Sequence, residues 1–160
     1  MARREPVRIR RATLKDLDVL VHQRRGMWED MKVPGDYDAA DRVYRRWARQ
    51  RMRSGRLIGF LAESGGRVVC GACIWLQDVQ PRPHVPGRFV PYLMSMYTEP
   101  GFRRRGIATR IVREAIRWSK ARGYPRLVLH ASDKGRPVYE RLGFEPTTEM
   151  RLLLRPRRRR

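Results

Sequence analysis

A sheet of mixed strand direction with helices packed on it is the fold class that this 160-residue sequence predicts. Three observations predict it. Residues 16–31, 37–52 and the stretch after Gly106 repeat apolar side chains at helical spacing. Residues 56–64 and 67–79 are apolar runs joined by Gly65-Gly66, a strong hairpin signal. Strands and helices also alternate along the chain instead of falling into separate blocks.

The elements follow in order. VRIRRAT alternates and reads as a first strand ending at Thr13, and Thr13 or Asp16 can cap the helix that follows. That helix places Leu17, Leu20, Val21, Met27 and Met31 on one side. VPGDYD is a turn, and the next helix sets Ala40, Val43, Tyr44 and Trp47 on one face before closing near Gly55. The glycine hairpin comes next, then the proline-rich loop QPRPHVPG and a strand, RFVPYLMSMYT, stopped by Pro100. Ile107, Ala108, Ile111, Val112, Ala115 and Trp118 mark a helix ending at Gly123. RLVLHAS reads as a further strand, RPVYERLGF as a short helix ended by Gly143, and TTEMRLLL as a last strand. One domain over residues 1–154 is expected, followed by a basic, mobile tail over 155–160.

Composition sets the bounds. A hydrophobic fraction of 41% suits a folded protein, and 160 residues suffice for a core without staples. The longest nearly apolar run, Val68 to Leu76, falls far short of the roughly 18 residues of a membrane span. The basic start has no apolar segment after it, so no signal peptide and a cytoplasmic location are expected. Cys70 and Cys73 form a lone C-x-x-C on a strand. Residues three apart there face opposite ways, which suits buried structural cysteines and neither zinc nor a disulfide. No metal is expected.

The net charge of +21 is unusual, and all but four of the 37 basic residues are arginines. Such a field attracts polyanions, so nonspecific contact with nucleic acid is expected. The most pointed feature is PGFRRRGIA, residues 100–108, where a strand turns into a helix. The first helical amides lack intrahelical partners and carry partial positive charge, which makes an anion site. Gly106 and Ala108 are small enough to admit an anion to the backbone there. The lysine and hydroxyl of the usual nucleotide phosphate loop are missing, and so is any G-x-G-x-x-G.

This segment resembles the R-x-x-G-x-G/A loop of the GNAT superfamily of acyltransferases, with Arg103, Gly106 and Ala108 at the matching positions. Downstream, VYERLGF resembles that family's second signature, a tyrosine before Leu-Gly-Phe. The resemblance extends from Val7 to about Leu154. It implies a mostly antiparallel central sheet with helices on both faces and an acetyl-CoA-dependent N-acetyltransferase acting on a primary amine. The strand at Met96, Tyr97 and Thr98 would then pair with the pantetheine arm. Amides of Arg104, Arg105, Gly106, Ile107, Ala108 and Thr109 would cradle the diphosphate, with Arg103 beside them. Ser132 stands where many relatives have a cofactor-touching asparagine, and being shorter it weakens that match. Tyr139 would protonate the departing thiolate.

The base that neutralises the amine stays open among Glu99, His130, Asp78 and water, since Leu127 stands where some relatives carry glutamate. Glu29, Asp30, Asp36, Asp38 and Asp41, five of the 16 acidic residues, form either an acidic rim for a cationic acceptor or a set of helix-start charges and caps. The acceptor is a small-molecule or a protein amine, and the chain a monomer or homodimer. Two other functions compete: a basic RNA- or ribosome-associated protein, and a non-catalytic acyl-CoA sensor.

Overall fold

The computed structural model describes residues 5–83 and 87–154. It falls into two compact units, Met1–His130 and Ala131–Arg160. The first carries a five-stranded sheet in the order β1 (Arg8–Arg11), β2 (Leu57–Ser64), β3 (Arg67–Asp78), β4 (Phe89–Thr98), β5 (Val128–Leu129). Its first three pairings are antiparallel and β4–β5 is parallel. The mixed sheet expected from the sequence is present. The β2–β3 hairpin turns on Gly65 and Gly66, whose φ of 57° and 72° are left-handed values that such tight turns require.

Helices α1 (Leu17–Asp30) and α2 (Tyr37–Arg53) cover one face of the sheet. There Leu17, Leu20, Val21, Tyr44, Ala48, Leu57, Leu61 and Cys73 form one buried cluster. Helix α3 (Ile107–Ala121) covers the other face, with Trp118 edge-on to Phe60 at 6.5 Å. Phe60 and Leu61 are neighbours on β2 and must point to opposite sides, which is what lets both faces be buried. The cysteines behave as strand parity demands: both are buried and free. Burial pushes the Cys70 thiol up to about 11 and Cys73 up to about 12.

Local signals explain the helix starts. Thr13 and Asp16 both contribute, as a capping box on the 3-10 turn Leu14–Asp16 that leads into α1. Asp36 caps α2 by accepting from the Ala39 amide at 2.9 Å. Two apolar positions expected to pack do not: Val43 and Met31 are exposed. The buried arc of α2 is narrower than the sequence suggests and centres on Tyr44 and Ala48.

In the second unit the described residues form α4 (Arg136–Arg141), with turns and irregular backbone around it. Two strand expectations need correction. RLVLHAS reduces to Val128–Leu129, and TTEMRLLL forms no strand: Met150, Leu152 and Leu154 are exposed in irregular backbone. Alternation records a preference for extended backbone, but a strand exists only where a neighbour supplies a ladder. The expected tail, 155–160, lies outside the described residues.

Candidate active site

The site begins with an irregularity in β4. Met94 pairs with Cys73 and Tyr97 with Gly71, so Ser95 and Met96 stand opposite the single residue Ala72. This is a β-bulge, and Ser95 takes a left-handed φ of 56° to make it. Bulges turn a strand away from its neighbour. Here β4 pairs with β5 only at Tyr92 and Leu93, so residues 94–98 have no ladder to β5 among the described residues. Pro91 fits the same plan: lacking an N–H, it sits just before that short ladder begins.

Beyond Thr98 the chain passes a 3-10 turn, Pro100–Phe102, and enters α3. None of the amides from Arg104 to Thr109 has a hydrogen-bond partner in the described structure, and the first helical bond is Arg110 N–H to the Gly106 carbonyl at 3.2 Å. No side chain caps α3. These six donors, at the positive end of a helix of four turns, suit an anion.

Gly106 meets a conformational demand beside the access to an anion expected of it. A Cβ there would meet no protein atom within 4 Å, so room is not what the fold asks of it. Its φ of 72° is the requirement, and Arg104 at 58° shares the same tight turn.

The three arginines divide. Arg103 is committed to the fold, donating to the Thr98 carbonyl at 2.8 Å and to Asp30 at 2.5 Å. Arg105 lies over the Phe102 ring at 4.9 Å, and Arg104 is exposed. Ile107 is buried in the core, while Ala108 and Thr109 are half-buried. On β4, Met96 and Thr98 are half-buried, and the Thr98 hydroxyl meets the Cys70 thiol at 3.1 Å. Tyr97 turns toward α1, where it lies against Gly26 and edge-on to His22. In the second unit, the Ser132 hydroxyl accepts from the Gly135 amide at 3.2 Å. Tyr139 stands half-buried on α4, edge-on to Phe144.

The base candidates separate. Asp78 is gripped by Arg88 at 2.7 Å, which lowers its carboxyl below the usual range. Glu99 meets His22 Nε2 at 2.8 Å. His130 is exposed, and its Nδ1 meets the Tyr92 hydroxyl at 2.6 Å. Nothing in the linear pattern singles out Tyr92 as its companion, because their proximity follows from the β4–β5 register. The acidic cluster is mostly used internally: Asp38 and Asp41 hold Arg25, Asp30 holds Arg103, and Asp36 caps α2. Among the described residues no group of three His, Cys, Asp or Glu could hold a metal.

A bulged, splayed strand thus leads into an uncapped helix start whose row of free backbone N–H groups suits an anion. The chain belongs to the acetyltransferase (GNAT) family, whose model matches residues 21–144. A predicted acetyltransferase from Clostridium acetobutylicum, crystallised with acetyl-CoA, superposes with a TM-score of 0.86 at 30% identity, covering 93% of this chain and 96% of that one. A GCN5-related N-acetyltransferase from Ralstonia eutropha gives 0.83 at 28% identity, over 93% and 99%. Glucosamine 6-phosphate N-acetyltransferase of Trypanosoma brucei brucei is 29% identical over 53% of this chain and 56% of that protein. The chain spans about half the length of the curated relatives it matches. No helix among the described residues is long and apolar enough to cross a membrane.

Proposed function

We propose that this protein is an acetyl-CoA-dependent N-acetyltransferase that moves the acetyl group to a primary amine by direct attack on the thioester. The observation that carries this is the run of six unpartnered amides from Arg104 to Thr109, directly after a strand whose free edge begins at the bulge. The amides would hold the diphosphate, with Arg104 and Arg105 adding charge. The edge of Met96, Tyr97 and Thr98 would pair with the pantetheine arm and stabilise the oxyanion by a backbone N–H. Ser132 remains a secondary cofactor contact, weakened by its bond to Gly135. Tyr139 is assigned the thiolate's proton on the resemblance of its motif. A relative's name points to amino sugars as one class of acceptor to try.

Two measurements test this. Acetyl-CoA should raise the melting temperature, and Gly106→Glu should abolish that shift by adding bulk and negative charge among the amides while the variant still folds. Thiol release should then appear with at least one amine in a panel spanning amino sugars, aminoglycosides, polyamines and peptide N-termini. Equal stabilisation of both proteins would remove the loop assignment. Stabilisation without thiol release from any amine would favour the non-catalytic sensor. RNA retention at moderate salt, with no response to acetyl-CoA, would favour the RNA-associated reading.

A further inference from the structure

Helix α2 carries a row of cations on its outer face that its own stability does not explain. Arg42, Arg46, Arg49 and Arg53 are all exposed. With about 3.6 residues per turn they fall within an arc of about 60° and run along about 16 Å of helix. Tyr44 and Ala48, on the opposite side, are buried. Like charges three and four residues apart weaken a helix, and only Arg53 lies in the last turn, where the helix dipole favours a cation. Elsewhere arginines are matched: Arg10, Arg25, Arg45, Arg88 and Arg103 each hold a carboxylate. None of the four on α2 forms an ion pair or a side-chain hydrogen bond among the described residues. Asp38, which lies within electrostatic reach of Arg42, is already held by Arg25.

We propose that this stripe binds the phosphate backbone of duplex nucleic acid without reading its bases, a property independent of the acetyl-transfer reading above. Guanidinium forks match phosphate oxygens, and the chain's cations are nearly all arginine. A row about 16 Å long outreaches any single small anion but follows several phosphates, which recur about every 3.4 Å along each strand. The rest of the face decides between polyanions. Val43 and Gln50 flank the stripe, and one exposed valine cannot anchor a helix in a bilayer. Single strands are held by aromatic rings that stack on bases, whereas Tyr44 is buried and stacks on Trp47, away from this face. Contact with phosphates along a duplex remains, and the chain's net charge of +21 draws the duplex in.

The test is fluorescence anisotropy of a labelled DNA duplex of about 20 base pairs, titrated with the full chain at several salt concentrations. Arg42→Gln, Arg46→Gln, Arg49→Gln and Arg53→Gln together should flatten the slope of log affinity against log salt by about 3–4, at roughly 0.9 per lost phosphate contact. Glutamine matches arginine in helix propensity, so α2 should still form. A control variant with Arg8→Gln, Arg67→Gln, Arg82→Gln and Arg113→Gln loses the same charge from exposed positions elsewhere, and its slope should change by less than about 1. Lysine at the four α2 positions should keep the slope and weaken affinity, since the charge stays and the fork is lost. Any stabilisation by acetyl-CoA should be equal in the unchanged protein and the α2 glutamine variant. No binding at low salt, or an equal flattening in both glutamine variants, would overturn the assignment. So would tighter binding to a single strand, to phosphatidylserine vesicles or to polyglutamate than to the duplex.

Discussion

Gly26→Ala sets two physical effects against each other. Gly26 lies inside α1, where alanine in place of glycine ordinarily stabilises a helix by about 1 kcal/mol. The structure opposes that gain. A Cβ at Gly26 would stand 2.7 Å from two Tyr97 ring carbons and 2.9 Å from its hydroxyl. Tyr97 has little freedom to yield, being 8% exposed, with His22 edge-on at 6.1 Å and the Arg103 guanidinium over its ring at 5.6 Å. Overpacking of this kind costs roughly 1–3 kcal/mol, so the net effect should be a loss of about 1 kcal/mol. In a Tyr97→Ala background the obstacle is gone, and the same substitution should stabilise by about 1 kcal/mol. The pair should therefore couple by about 2 kcal/mol in a double-mutant cycle read from urea unfolding. Since Tyr97 belongs to the splayed strand, the single variant should also bind acetyl-CoA several-fold more weakly by calorimetry. Stabilisation by Gly26→Ala in both backgrounds would refute the steric argument.

Asp16 is held at about 2 by Arg10, which bonds it through both guanidinium ends, with further hydrogen bonds from the Thr13 amide and hydroxyl. The folded pKa lies below the ordinary 3.8, so this contribution is fully present above about pH 4 and is lost as pH falls through 2. Asp16→Asn should cost roughly 2–3 kcal/mol at pH 7 and about half that at pH 3, measured by urea unfolding. An equal loss at both values would show that packing, and not ionisation, is at work. Tyr139→Phe keeps the ring against Phe144 and should change stability by no more than about 1 kcal/mol. Amine-dependent thiol release should fall about 100-fold with acetyl-CoA affinity unchanged; near-normal turnover with chemistry rate-limiting would transfer the acid role to water.

Much of this protein was legible along the chain because the relevant physics is local. Apolar spacing placed α1 to α3, Gly65-Gly66 placed the hairpin, and Asp36 placed a cap, each within a few residues of the signal. The amide cradle was equally readable, since a strand, a tight turn and a helix start determine which N–H groups go unpaired. What the linear pattern could not carry was register. The bulge at Ser95 needs the count of β4 against β3, and the Tyr92–His130 pair needs the two-residue ladder between β4 and β5. The acidic cluster shows the same divide. Five acids in 13 positions look like an open rim until Arg25 and Arg103 arrive from α1 and from the loop after β4 to pair with three of them. TTEMRLLL is the converse, a strand pattern with no ladder among the described residues. Local backbone preference travels with the sequence, whereas pairing depends on which distant groups the fold brings within hydrogen-bond reach, and only the tertiary structure decides that.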